Sequence, residues 1–284
     1  MKRIVGYYSV ELGAGSDVGS VREQNEDAYR TLLGTGSQDE LFDALLIVAD
    51  GMGGHAAGEV ASEMAVTNLP KHLVEALSSD QINEDMENLL SECVVKTNMD
   101  IFEKSKEEDT RGMGTTLTAG IVLQDRFFYA HVGDSRGYLL RGNSFEQFTT
   151  DHSWVAEQVA LGILTEEQAE NHPRRNIITR AMGLDSTVEV DSGFIELELS
   201  DQILLCSDGL HGLVKAEEMM EVCAEEEPED AFQSLIDMAN SRGGHDNITV
   251  VVAKIGQGDN YDPHSTKDDG IRSVLGNFKN LFSD

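Results

Sequence analysis

Positive charge is scarce in this chain: 284 residues carry 21 lysines and arginines against 52 aspartates and glutamates, a formal net charge of −31. Such a surface repels phosphate backbones and anionic headgroups, so neither nucleic acid nor membrane is expected as a partner. Cysteine is scarce too. Cys93, Cys206 and Cys223 are odd in number, widely spaced and in no Cys-x-x-Cys pattern, which excludes a disulfide framework or zinc site and fits a reducing compartment. Long apolar runs are missing; the longest, residues 44–49, is far too short to span a bilayer. Lys2 and Arg3 precede no sustained apolar stretch with a small-residue cleavage site, so no signal peptide is expected. The expected location is cytoplasmic. There is also no Gly-x-x-x-x-Gly-Lys-Ser/Thr loop, which disfavours a nucleotide substrate, and no internal repeat.

What is present suffices for a large core. Hydrophobic residues make up 40% of the chain, ordinary for a globular protein, and the length suits one large domain or two small ones. Residues 41–49 are nearly all apolar and end at Asp50-Gly51, which predicts a buried strand. After Gly58 a helical pattern follows, with a second helix expected over 83–106. Residues 115–123, 126–132, 137–141 and 145–149 read as short strands whose close spacing favours an antiparallel meander. A helix is expected over 154–169, strands over 188–197 and 202–206, helices over 217–224 and 229–241 with Pro228 at the start, and a closing strand over 247–255. Blocks of strands beside blocks of helices predict packed antiparallel sheets covered by helices.

Five short segments set acidic residues beside glycine or asparagine: residues 22–27, 50–55, 133–136, 207–209 and 245–247. Carboxylate oxygens are the ligands that hard divalent cations prefer, and a buried carboxylate lacking such a partner is costly. The reading is one site, a cluster of two or three metals that activates water for attack on phosphate. Two cations about 3.5–4 Å apart lower the pKa of a shared water and steady both ends of an in-line displacement. An arginine fork suits phosphate, and glycines let backbone approach the ions. No serine, cysteine or aspartate nucleophile is then required.

Arg22 followed by Asn25-Glu26-Asp27, then Asp50-Gly51-Met52-Gly53-Gly54-His55, Gly114-Thr115-Thr116, Gly133-Asp134-Ser135-Arg136, Ser207-Asp208-Gly209 and residues 244–249 resemble the metal-dependent, type-2C-like serine/threonine protein phosphatases in their bacterial form. The match runs in the family's order from about Ser16 to Ile255. The resemblance implies an α+β fold, a four-layer αββα sandwich of two antiparallel sheets flanked by helices. It implies hydrolysis of phosphoserine and phosphothreonine by a metal-activated water, with Mn²⁺ or Mg²⁺ as a pair and a third ion beside it. Asp50, Asp208, Asp246 and the Gly51 carbonyl would hold the pair, and Glu26 and Asp27 would act nearby, mainly through water. Asp134, with Asp208, matches the third site, and Arg22 matches the phosphate-binding arginine. The partners implied are phosphorylated proteins, a serine/threonine kinase and its substrates among them.

Met52 stands where eukaryotic relatives often carry histidine; the general-acid role is not transferred to His55, read as a structural histidine. Residues 152–180 fall where the family has a variable flap. Its basic stretch, His172-Pro173-Arg174-Arg175, either receives anionic phosphopeptides or pairs with Glu166, Glu167 and Glu170. The catalytic domain is expected over 1–255. Residues 256–284 are a polar linker and a short amphipathic segment, which folds back on the domain or docks a partner. The rival functions are a catalytically silent phosphoprotein-binding module and a hydrolase of small phosphate esters.

Overall fold

The computed structural model describes residues 2–5, 8–33, 42–53, 57–77 and 85–257. The strands are β1 (Lys2–Val5), β2 (Tyr8–Asp17), β3 (Asp27–Leu33), β4 (Ala44–Met52), β5 (Gly114–Thr115), β6 (Leu117–Leu123), β7 (Arg126–Val132), β8 (Arg136–Arg141), β9 (Ser144–Gln147), β10 (Asp191–Glu196), β11 (Gln202–Cys206) and β12 (Ile248–Gln257). The helices are α1 (Ala57–Leu77), α2 (Met86–Lys104), α3 (Trp154–Ala160), α4 (Glu166–Glu170), α5 (Asp208–His211), α6 (Ala216–Glu225) and α7 (Pro228–Ser241). One sheet runs β1-β2-β12-β11-β8-β9, the other β10-β7-β6-β4-β3 with β5 beside β4. Every pairing is antiparallel.

Side-chain alternation along the central strands builds the layers. In β4, Ala44, Leu46 and Val48 point between the sheets, where they meet Ile203 and Leu205 of β11 and Val251 and Ala253 of β12. Their neighbours Leu45, Ile47 and Ala49 face the opposite way, onto Ala61, Leu69 and Leu73 of α1 and Leu90 and Val94 of α2. On the other sheet Leu204, Val250 and Val252 turn outward to Leu235 and Ile236 of α7. A strand with period two that is buried on both faces reads as an unbroken apolar run, which is why residues 44–49 show no polar alternation. The result is a four-layer αββα sandwich.

Several expectations shift. The chain before residue 41 supplies three strands that its sequence does not announce. In β2, Gly13 and Gly15 look like turn residues, but a Cβ at Gly13 would lie 1.7 Å from the Pro228 carbonyl oxygen and one at Gly15 would lie 2.5 Å from the Phe232 ring. These glycines are where α7 presses on the sheet. The helix expected over 154–169 is broken into α3 and α4, because Gly162 adopts φ +70° and ends the first piece. The strand expected over 188–197 is shorter, Asp191–Glu196. All three cysteines are free and buried. The C-terminal amphipathic segment lies outside the described residues, and β12 reaches Gln257, two residues past the expected domain end.

Candidate metal centre

Residues distant in sequence meet where strands of both sheets end. Asp27 opens β3 and pairs in register with Asp50 near the end of β4. Asp134 follows β7, Asp208 follows β11 and Asp246 precedes β12. The two sheets are joined here by hydroxyls: Ser207 Oγ and Thr249 Oγ1 each donate to Asp27 Oδ2 at 2.7 Å. Asn247 ties in the loop before β3. Its Nδ2 donates to the carbonyls of Val18 and Gln24, and its Oδ1 accepts from the Glu26 amide at 2.8 Å.

The cluster is strained by its own charge. Asp27 is pushed up to about 7, first by burial and then by Asp208 and Asp246, against the pull of its two hydroxyl donors. Burial, then Asp27, Asp208 and Asp134, holds Asp50 well above the usual carboxylate range. Asp208, within hydrogen-bonding reach of Asp50, is raised to about 6 by burial and Asp246. Burial and Asp208 raise Asp134 to about 7, and burial also raises Glu26, against the opposing pull of Arg22. Like-charged carboxylates gathered out of water favour protonation or a cation among them.

Two oxygens single out where a cation fits. Asp27 Oδ1 and Asp134 Oδ1 are closed off from solvent and have no hydrogen-bond partner. A buried acceptor left unpaired is expensive, and the donor set around both is oxygen, the chemistry of Mg²⁺ and Mn²⁺ rather than of a soft metal. The residues therefore fit a hard-cation centre. Among the described residues no three of these groups already stand as a closed ligand cage.

Close backbone packing serves the same place. A Cβ on Gly51 would lie 2.2 Å from the Gly58 carbonyl oxygen and 2.4 Å from that of Glu26, so only glycine lets these segments meet. Gly51 N–H donates to the Glu26 carbonyl at 3.1 Å, and the Ser62 hydroxyl donates to the same oxygen at 2.6 Å. Around Asp134 the backbone is gripped on every side. Asp134 O accepts from His211 Nε2 at 3.0 Å, Ser135 Oγ bonds Thr116 Oγ1 at 2.8 Å, and Arg136 makes a forked ion pair with Asp151.

Arg22 joins the cluster, its Nη2 donating to Asp246 Oδ2 at 2.7 Å, with half of the arginine side chain exposed. His55 lies outside the described residues. In the excursion over 152–180, neither Arg174 nor Arg175 ion-pairs with Glu166, Glu167 or Glu170; Arg174 lies over the Trp154 ring, which also packs on His172. Sequence reasoning left Ser207, Thr249, Asn247, Asp151, His152 and His211 without roles. Of these, Ser207, Asn247 and Thr249 lie inside the quoted motifs, and their polarity beside the aspartates was the available signal.

The comparisons now bear on this geometry. Residues 20–249 match the family model described as protein phosphatase 2C. The chain belongs to that family. It is 42% identical over 247 residues to the serine/threonine phosphatase stp of Listeria monocytogenes, covering 84% of this chain and 93% of that one. It is 38% identical over 251 residues to protein phosphatase PhpP of Streptococcus pneumoniae, covering 88% and 99%. Among solved structures, the Mycobacterium tuberculosis serine/threonine phosphatase PstP/Ppp superposes with a TM-score of 0.76 at 38% identity, covering 87% of this chain and 99% of that one. The catalytic domain of PstP, in complex with two manganese ions, gives 0.73 at 37% identity over 87% and 99%. The present chain is accordingly a protein phosphatase of the 2C family, built on that family's sandwich.

Proposed function

We propose that this phosphatase hydrolyses phosphoserine and phosphothreonine in proteins at the carboxylate cluster, with two Mn²⁺ or Mg²⁺ ions held by Asp50, Asp208, Asp246 and the Gly51 carbonyl. Asp134 and Asp208 would hold a third. The observation that carries the reading is the pair of sealed, partnerless oxygens, Asp27 Oδ1 and Asp134 Oδ1, in a carboxylate cluster where Asp27, Asp50, Asp134 and Asp208 all have raised pKa values. When bound, the ions supply Lewis-acid charge that acidifies water and neutralises phosphate.

The chain's own residues do the rest. Asp27, its Oδ2 fixed by Ser207 and Thr249, presents Oδ1 in one direction only. Glu26, its backbone N–H held by Asn247, stands ready to orient water. Arg22 reaches in from the rim, where its half-exposed guanidinium can exchange Asp246 for two phosphate oxygens. The substrates are phosphorylated proteins, a serine/threonine kinase and its targets among them, in the cytoplasm. The catalytic domain expected over 1–255 extends to Gln257 at the end of β12, and the sequence beyond it reads as the linker and amphipathic segment. No helix among the described residues is long and apolar enough to cross a membrane.

The test is phosphate release from a phosphothreonine peptide with Mn²⁺, with Mg²⁺ and with EDTA, beside Asp208→Ala. Metal-dependent release that the substitution abolishes supports the assignment. Folded protein inert under every metal points to a silent binding module, and release from small esters alone points to a small-ester hydrolase.

A further inference from the structure

The 152–180 excursion leaves and rejoins the sandwich through a narrow neck. Ser153 bridges Ile178, Trp154 N–H donates to the Ile177 carbonyl at 2.8 Å, and Thr179 N–H donates to the His152 carbonyl at 2.8 Å. At the base of that neck sits His152, only 6% exposed. It takes up both backbone polar groups of one residue on the sandwich, one with its ring and one with its own main chain. Gly133 N–H donates to His152 Nδ1 at 2.9 Å, and His152 N–H donates to the Gly133 carbonyl at 2.7 Å.

Gly133 directly precedes Asp134 and has φ +115°. A Cβ there would lie 2.6 Å from the Thr116 side chain, so neither the residue nor its conformation is replaceable. The other anchors of this turn act at or after Asp134: His211 on its carbonyl, Thr116 on Ser135, Asp151 on Arg136. On the N-terminal side, His152 makes the bonds. Because its Nδ1 accepts from Gly133, the ring hydrogen sits on Nε2, which has Asp191 Oδ2 at 3.1 Å and Arg180 Nη1 at 2.9 Å. Arg180 Nη1 holds the other oxygen of that carboxylate at 2.7 Å. The Gly133 N–H thus sets the tautomer, and Asp191 of β10 together with Arg180 at the end of the excursion sets the ring plane.

We infer that His152 is a positioning residue: its ring holds the Gly133 N–H, and so the backbone that leads into the partnerless Asp134 carboxylate and aims it at its cation, fastening the neck of the 152–180 excursion to that ligand. The inference rests on the reading of Asp134 as a cation ligand. It extends to that site the general pattern in which groups behind a metal ligand set its direction.

Two substitutions separate the ring's two edges. His152→Asn places an amide oxygen where Nδ1 stood and abandons Asp191. His152→Gln places its amide nitrogen near Nε2 and abandons Gly133. In the full-length protein, amide hydrogen exchange at Gly133 and Mn²⁺ binding counted by electron paramagnetic resonance are compared with the wild type. His152→Gln is expected to speed Gly133 exchange and weaken the weakest Mn²⁺ class, each about tenfold, and His152→Asn to keep both within about twofold. Wild-type behaviour of His152→Gln, or equal impairment of the two variants, overturns the inference and leaves the ring a packing element. Should His152→Gln not fold, impaired exchange and binding in His152→Asn overturn it alone. Asp134→Asn serves as the control on the underlying reading. If it keeps every Mn²⁺ class, Asp134 is not a ligand, and Gly133 exchange still judges His152 by itself.

Discussion

Asp27 and Asp50 stand directly opposite one another on adjacent antiparallel strands. Residues so paired project to the same face, so the β3–β4 ladder itself sets two carboxylates side by side. Ser207 and Thr249 neutralise one oxygen of the pair by hydrogen bonding and leave the other bare. The fold has therefore placed like charges where ordinary packing would separate them.

Relieving that repulsion should strengthen the metal-free fold while destroying activity. Asp208 has its pKa raised to about 6, mainly by burial and Asp246. At pH 8 in EDTA, Asp208→Asn should gain up to about 3 kcal/mol in urea unfolding. The same variant should lose phosphate release about a hundredfold or more and gain little stability from added Mn²⁺. A variant less stable than wild type in EDTA would show that the carboxylate is held by something other than cations.

Gly51→Ala probes the meeting of three backbones. Its Cβ has no space beside the Gly58 and Glu26 carbonyl oxygens, and neither neighbour is a flexible side-chain tip. A loss of about 3 kcal/mol or more is expected, with weakened Mn²⁺ binding in whatever fraction folds. Urea denaturation and calorimetry check the two effects separately.

The sequence showed the site's residues more readily than the strands that carry them. Aspartate beside glycine is visible in any one-dimensional reading, and the order of the six motifs supplied the family. Ala44 to Ala49 announced a strand because both its faces are buried. β2 did not, since Gly13 and Gly15 mark pressure from Pro228 and Phe232, residues more than 200 positions away. Ser207 and Thr249 hid for a similar reason. A hydroxyl's partner across two sheets leaves no local pattern, whereas a turn or helix cap does.

Buried imidazoles make stability sensitive to acid. His131 is held down to about 4, first by burial and then by its neighbour His152, while an imidazole in the unfolded chain titrates near 6.5. Below that value the unfolded chain takes up a proton that the fold refuses, so stability is full above pH 6.5 and falls toward pH 4. Carboxylates with raised pKa act in the opposite sense in metal-free protein, so the comparison must cancel them. His131→Gln keeps a donor for the Thr150 carbonyl. Between pH 7 and 5 in EDTA, the wild type should lose about 2 kcal/mol relative to this variant. Parallel pH profiles in urea would show that the imidazole titrates normally.

Arg174 and Arg175 are expected to serve peptide binding, since neither pairs with the nearby glutamates and Arg174 rests on Trp154. Reversing both to glutamate should raise KM for a phosphopeptide about tenfold and leave hydrolysis of a small aryl phosphate unchanged. An unaltered peptide KM would count against that role.

The strand that closes the first sheet is made last. β12 lies between β2 and β11, pairing over ten residues with a strand from the beginning of the chain, and Asp246 stands two residues ahead of it. A growing polypeptide that still lacks residues 248–257 leaves β2 without its inner neighbour and Asp246 without the element that holds it in place. Long-range pairing of this kind forms late, so dephosphorylation should begin abruptly when synthesis of the domain finishes. A nascent chain that stops before Ile248 is expected to carry none of the activity.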